Sequence, residues 1–211
     1  MNDLIAELER VRRAVRSETA DDGPAHVVEL RRVYSAPVPD VWDVCTSPER
    51  IPRWFLPIGG DLRLGGRFQL EGNAGGEITE CRPPRRLAVT WEFGGDVSLV
   101  TVDLAPTGDG GTELRLRHAV GDNDHWATYG PGAVGVGWEL GLLGLALHLR
   151  TGASADEARD FATSANGQAF MRRSAAEWGA AHAASGAPAE TADEAAARTS
   201  AAYAPDPERV V

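Results

Sequence analysis

Residues 132–149 read GAVGVGWELGLLGLALHL, apolar almost all round, with a single charge at Glu139 and a glycine stop signal at Gly152 just beyond. What this stretch is decides the fold. At about 1.5 Å per residue it spans roughly 25 Å, short of the roughly 30 Å hydrocarbon core of a bilayer, where a mid-span carboxylate would also cost several kcal/mol. It is expected as a helix buried against a sheet. Gly137 and Gly141 lie four apart on it and leave room for a close approach or for space beneath.

The sheet is legible upstream. Between residues 26 and 120 the apolar period is two: VVELRRVYS (27–35), GGRFQLE (65–71), RRLAVTWEF (85–93), DVSLVTVDL (96–104) and TELRLRHAV (112–120) alternate, with turn residues between them. These are expected as antiparallel strands with one wet face. Their inward face would carry Val28, Leu30, Arg32 and Tyr34, then Phe68 and Leu70, then Leu87, Val89, Trp91 and Phe93, then Val100, Val102 and Leu104, and finally Leu114, Leu116 and His118. Two short helices are expected after the first strand, in APVPDVWDVCT and in SPERIPRWF, the second with Ser47 as N-cap and Pro48 at its first position.

The ends read as attachments. Leu4, Leu8, Val11 and Val15 follow a 4-3-4 spacing, which predicts an amphipathic helix of about four turns, closed by the linker TADDGP (19–24). Past residue 152 the chain is Ala-rich with three capping-box pairs, Ser154/Glu157, Ser174/Glu177 and Thr191/Glu194, so two or three helices are expected. Their few large apolar groups require docking on the main domain or on a second copy, which keeps a homodimer through the terminal helices open. The domains are then 1–22, 23–152 and 153–211.

Composition excludes several functions. The chain has 211 residues and net charge −10, its 21 basic residues are all Arg, and none of the segments 1–22, 23–152 and 153–211 is basic. A nucleic-acid or anionic-membrane partner needs clustered positive charge and is not expected. Two cysteines, Cys45 and Cys81, make no disulfide framework, and the charged start MNDLIAELERVRR lacks a signal peptide's apolar region, so a cytoplasmic protein is expected.

Chemistry-bearing motifs are sparse. Gly130, Gly132 and Gly135 match the spacing of a dinucleotide-binding loop, but no parallel strand precedes them and none follows, so no cofactor is expected. His118, Asp122, Asp124 and His125 crowd the end of a strand and the loop after it without any metal-ligand spacing, and no metal is expected. Nucleophile elbow, Cys-His pair and phosphate loop are all missing, and no catalytic residue is assigned. Arg32 and Glu139 are isolated charges on apolar faces, so either they form a structural ion pair or Glu139 faces a ligand.

The succession of 27–57, DLRLGGRFQLE, RRLAVTWEF and TELRLRHAV, followed by the apolar helix, resembles the SRPBCC (START-like, helix-grip) superfamily, in the branch of the activator of Hsp90 ATPase homologues, over about residues 26–151. The resemblance implies an α+β fold in which a curved antiparallel sheet grips a long C-terminal helix, as in START and Bet v 1-like proteins, here with an added N-terminal helix and a C-terminal helical extension. It also implies a hydrophobic cavity between helix and sheet. Inward aromatics beneath a Gly-rich helix make a small-molecule pocket of Trp54, Phe55, Phe68, Leu70, Trp91, His118, Trp138, Glu139 and Leu142 the leading expectation, with a small hydrophobic molecule as partner. Two alternatives stand beside it. One is a polyketide cyclase or aromatase-like enzyme using Arg32, His118 and Glu139 to handle protons; the other is an interaction or co-chaperone-like module built on the terminal helices.

Overall fold

The computed structural model describes residues 2–20 and 23–205. Its strands are β1 (Val11–Ala20), β2 (Gly23–Tyr34), β3 (Ile58–Gly60), β4 (Arg67–Leu70), β5 (Gly75–Arg82), β6 (Arg86–Phe93), β7 (Asp96–Pro106) and β8 (Thr112–Gly121). They form one antiparallel sheet in the order β1-β2-β8-β7-β6-β5-β4-β3. Chain reversal places β8 beside β2, and the register Val28↔His118, Leu30↔Leu116 and Arg32↔Leu114 stacks the inward residues of both strands on one face. Helix α4 (Gly132–Thr151) lies across that face, and the Tyr34 hydroxyl donates to the Leu142 carbonyl at 3.2 Å. This is the helix-grip architecture. Val28, Leu30, Leu114, Leu116, Leu142 and Leu145 are buried where sheet and helix meet.

The N-terminus departs from expectation. Helix α1 covers only Asn2–Glu9, and the chain then turns into β1, which pairs with β2 from Val11↔Arg32 to Ala20↔Gly23. Val11 and Val15 are four apart, a spacing that satisfies a helical stripe and one face of a strand equally. The free hydrogen-bonding edge of β2 decides between them, since a paired strand satisfies both backbones. Thr19–Pro24 is consequently no linker, and the boundary expected at residue 22 falls inside a hairpin; Asp21 and Asp22 lie outside the described residues, as does the side chain of Leu4.

Between β2 and β3 the first expected helix is α2 (Val38–Thr46), with Pro39 in its opening turn. The second contracts to a single 3-10 turn, Ile51–Arg53, and Ser47 caps the end of α2 instead of starting a new helix. Phe93, expected inward, is 58% exposed at the end of β6.

Helix α3 (Asp124–Tyr129) is capped by the Asn123 side chain, which accepts from the Trp126 N–H at 2.9 Å. The extension forms α5 (Ala155–Thr163), α6 (Ala165–Ala184) and α7 (Ala189–Tyr203). Ser154 and Glu157 make the expected capping box, but Ser174 and Thr191 lie within helices, and Ser164 caps α6. Gly135 of α4 lets α6 approach: a Cβ there would sit 2.2 Å from the Trp178 ring. Of the glycines resembling a phosphate loop, this one and Gly132, which faces Thr199 of α7, form the seat of the extension.

Candidate functional site

Beneath α4 lies a cavity of about 180 Å³. Trp138, Gly141, Leu142 and Leu145, at helical spacing, form its roof. Its floor is the sheet's inward face, from Phe68 and Leu70 of β4 through Leu87, Val89 and Trp91 of β6 to Leu114 and Leu116 of β8. Trp54 and Phe55, following the 3-10 turn, close one side with Cys45 and Thr46 from the end of α2. The aromatics form a cluster, with ring centroids 5.0 Å apart for Trp91 and Trp138, 6.3 Å for Phe68 and Trp91, and 6.4 Å for Phe55 and Trp138. Few polar groups reach the lining: Thr46, the two thiols and Arg63. Burial pushes the Cys45 thiol up to about 12, so it stays protonated and behaves as an apolar wall.

Seven of the nine expected site residues line this cavity: Trp54, Phe55, Phe68, Leu70, Trp91, Trp138 and Leu142. His118 and Glu139 do not. His118 is buried beside Trp138, whose indole N–H donates to His118 Nδ1 at 3.0 Å, while Ser98 Oγ lies 2.8 Å from Nε2. Glu139 follows Trp138 directly, and successive helical residues point about 100° apart, so it faces α6 and the β1 edge of the sheet instead of the cavity.

Glu139 does form an ion pair, but with Arg13 of β1; Ser174 of α6 donates to its other oxygen at 2.6 Å. Burial raises the Glu139 carboxyl above its ordinary value, against the pull of Arg13. Arg32, the expected partner, pairs with Glu7 of α1, which also accepts from Arg150 at 2.9 Å. Burial would raise the Glu7 carboxyl too, but the Arg150 hydrogen bond and the charge of Arg32 outweigh it and hold it below the ordinary range. The N-terminal segment, folding back as helix and strand, supplied both partners. Neither Arg32 nor Glu139 reaches the cavity lining.

Sequence reasoning missed Cys81 and Ile78 because it missed β5, whose glycine-rich beginning hides the alternation. These residues are three apart, yet both line the cavity, since the pairing of β5 with β6 shifts register between Ile78 and Glu80. Such a bulge puts an odd spacing on one face. Inward alternation could have flagged Leu87, Val89 and Val100, which were read as core. Among the described residues no cluster of His, Cys, Asp and Glu could hold a metal ion.

The solved structures similar to this chain include CalU16 from Micromonospora echinospora, in crystal and solution forms, each 36% identical. The crystal structure aligns over 82% of this chain and 98% of its own with a TM-score of 0.66, and the solution structure over 83% and 96% with 0.72. Protein MLL2253 from Mesorhizobium loti is 26% identical over 59% of this chain and 98% of its own, with a TM-score of 0.52. No curated protein matches. The family described as Activator of Hsp90 ATPase homolog 1-like protein matches residues 35–149, more than half the chain and the segment from the end of β2 through nearly all of α4. With the helix-grip fold and the CalU16 similarity, this match shows that the chain belongs to the Activator of Hsp90 ATPase homolog 1-like family.

Proposed function

We propose that this protein binds a small, largely apolar molecule in the cavity between α4 and the sheet. The observation that carries the reading is the cavity itself: about 180 Å³ lined almost wholly by aromatic and aliphatic side chains from the 3-10 turn and the residues after it, from α4 and from six strands. Apolar voids of about 150 Å³ are large enough to take benzene, so this one suits one or two fused rings. Well-packed cores leave few voids larger than a water molecule, and maintaining one forfeits dispersion contacts.

The cyclase-like alternative loses support from the positions of its three proton handlers, since Arg32 and Glu139 engage other partners and both nitrogens of His118 are hydrogen-bonded. For the interaction-module alternative, α6 and α7 already pack on α4, and a homodimer through them is left to sedimentation. Both cysteines are free, in keeping with a cytoplasmic protein.

1-Aminonaphthalene, a polarity-sensitive fluorophore whose two fused rings match the cavity, tests the binding reading. It is expected to bind with enhanced fluorescence and to be lost in Gly141→Leu, a substitution at a glycine of the cavity roof, where a Cβ would lie in ordinary contact with Phe55 at 3.5 Å. Equal binding by a folded Gly141→Leu variant would place the dye elsewhere and remove the support.

A further inference from the structure

Phe55, Trp91 and Trp138 have empty space on both of their sides. Inward lies the apolar cavity; outward lies a second chamber of about 390 Å³, bordered by the same three rings and by Asn73, Phe93, His125, Tyr129, Gly137 and Tyr203 among others. The two chambers differ in chemistry. The outer one collects an amide, an imidazole and two phenols from the β4–β5 turn, α3 and α7, and neither carboxylate nor guanidinium lines it. The Tyr203 hydroxyl donates to the Ala133 carbonyl at 2.7 Å, which leaves its oxygen able to accept. Among the described residues the Tyr129 hydroxyl has no protein partner, and its ring lies 5.0 Å from that of His125.

We infer that the two chambers are subsites for one amphipathic ligand, an aromatic or polycyclic body inside and an uncharged, hydroxyl- or carbonyl-bearing end outside. The inference rests on the cavity reading and extends it. Pockets for drug-sized ligands run to roughly 300–1,000 Å³, more than the inner chamber of about 180 Å³ supplies, so a ligand larger than its one or two fused rings would continue past the aromatic wall. The outer chamber supplies donors and acceptors without a fixed charge, which matches hydroxyls and carbonyls. Two glycines one turn apart keep the α4 surface free of side chains along the way from one chamber to the other: Gly141 borders the inner chamber and faces Phe55, and Gly137 borders the outer one and faces the Tyr203 hydroxyl. Tyr203 and Ala202 belong to the C-terminal extension, so α7 contributes to the ligand site instead of only packing against the domain.

Two probes with the same body separate the subsites by calorimetry on the full chain: naphthalene, which fits the inner chamber, and 3-(1-naphthyloxy)propane-1,2-diol, whose diol extends outward. The diol is expected to bind at least tenfold tighter. Ala202→Trp, an exposed position at the outer chamber, and the double variant His125→Leu/Tyr129→Phe are each expected to reduce that advantage to under threefold while naphthalene binds as before, which also reports that the variants are folded. Naphthalene binding with no diol advantage would overturn the two-subsite inference and leave the cavity reading standing. Binding of neither probe would overturn both.

Discussion

Trp138 donates its indole N–H to Nδ1 of His118 at 3.0 Å, and this bond fixes where the imidazole carries its proton. An indole nitrogen can only donate, so Nδ1 must accept and the hydrogen sits on Nε2. Nε2 then donates to Ser98 Oγ at 2.8 Å, and the Ser98 hydroxyl donates to the Trp91 carbonyl at 3.1 Å. The chain of bonds is complete with a neutral ring. Burial pushes His118 down to about 4, so at neutral pH it orients one cavity wall and does not exchange protons.

A pH dependence follows. The folded value lies below the ordinary histidine value of about 6.5, so the stabilisation is fully present above about pH 6.5 and is lost as pH falls toward 4, by roughly 3 kcal/mol in all. His182, also lowered, first by burial and then by the charge of His26, adds a loss of the same sign. The informative quantity is therefore the difference between wild type and His118→Leu. The variant is expected to be less stable at pH 7 by about 1–3 kcal/mol, because the Trp138 N–H loses its acceptor, but to lose less on acidification to pH 4.5. Equal acid losses in urea titrations of the two proteins would contradict a buried neutral His118.

The buried pair of Arg13 and Glu139 joins β1 to α4, and Ser174 ties in α6. Glu139→Gln leaves the Arg13 guanidinium without its counter-charge, and a loss of about 3–5 kcal/mol is expected. Naphthalene affinity of the folded protein should not change, because Glu139 faces away from the cavity. Weakened binding at unchanged stability would return Glu139 to the site.

The sheet was legible because it uses one clean period, two, along 27–35 or 112–120, and the long helix because residues 132–149 are apolar almost all round over a length that few strands reach. The β1 strand was not, because Val11 and Val15 fit both periods and only the unpaired edge of β2 selects between them. The same ambiguity concealed the partners of Arg32 and Glu139, since Glu7 and Arg13 arrive only when that segment folds back. Seven site residues were legible as inward aromatics and aliphatics. Ile78 and Cys81 were hidden by the bulge in β5, and Glu139 was misplaced because residues adjacent on a helix face different neighbours.

Removing either end should expose apolar surface. Deleting residues 153–211 uncovers the face of α4 on which Trp178 sits, and deleting residues 1–20 frees the β2 edge and leaves Arg32 without Glu7. Both truncations are expected to self-associate or precipitate in sedimentation velocity runs in which the full chain sediments as one species. Two truncations as soluble and monomeric as the full chain would show that the terminal segments are dispensable.

Gly135→Leu tests the seat of the extension with one substitution. The Cβ alone would lie 2.2 Å from the Trp178 ring, so α6 must shift. Overpacking of this kind costs about 1–3 kcal/mol, and limited proteolysis is expected to cleave beyond Gly152 faster than in wild type. Unchanged cleavage and stability would mean that α6 is not held at this point.

Binding in the cavity can be seen directly in a crystal structure of the protein soaked with 1-bromonaphthalene, read by bromine anomalous scattering. One dominant peak is expected inside the cavity, between the rings of Trp91 and Trp138 and the side chains of Leu114 and Leu116, with the sheet and α4 in place. A cavity closed by collapse of Trp91 and Trp138 onto Leu142, with bromine absent or only at the surface, would contradict it.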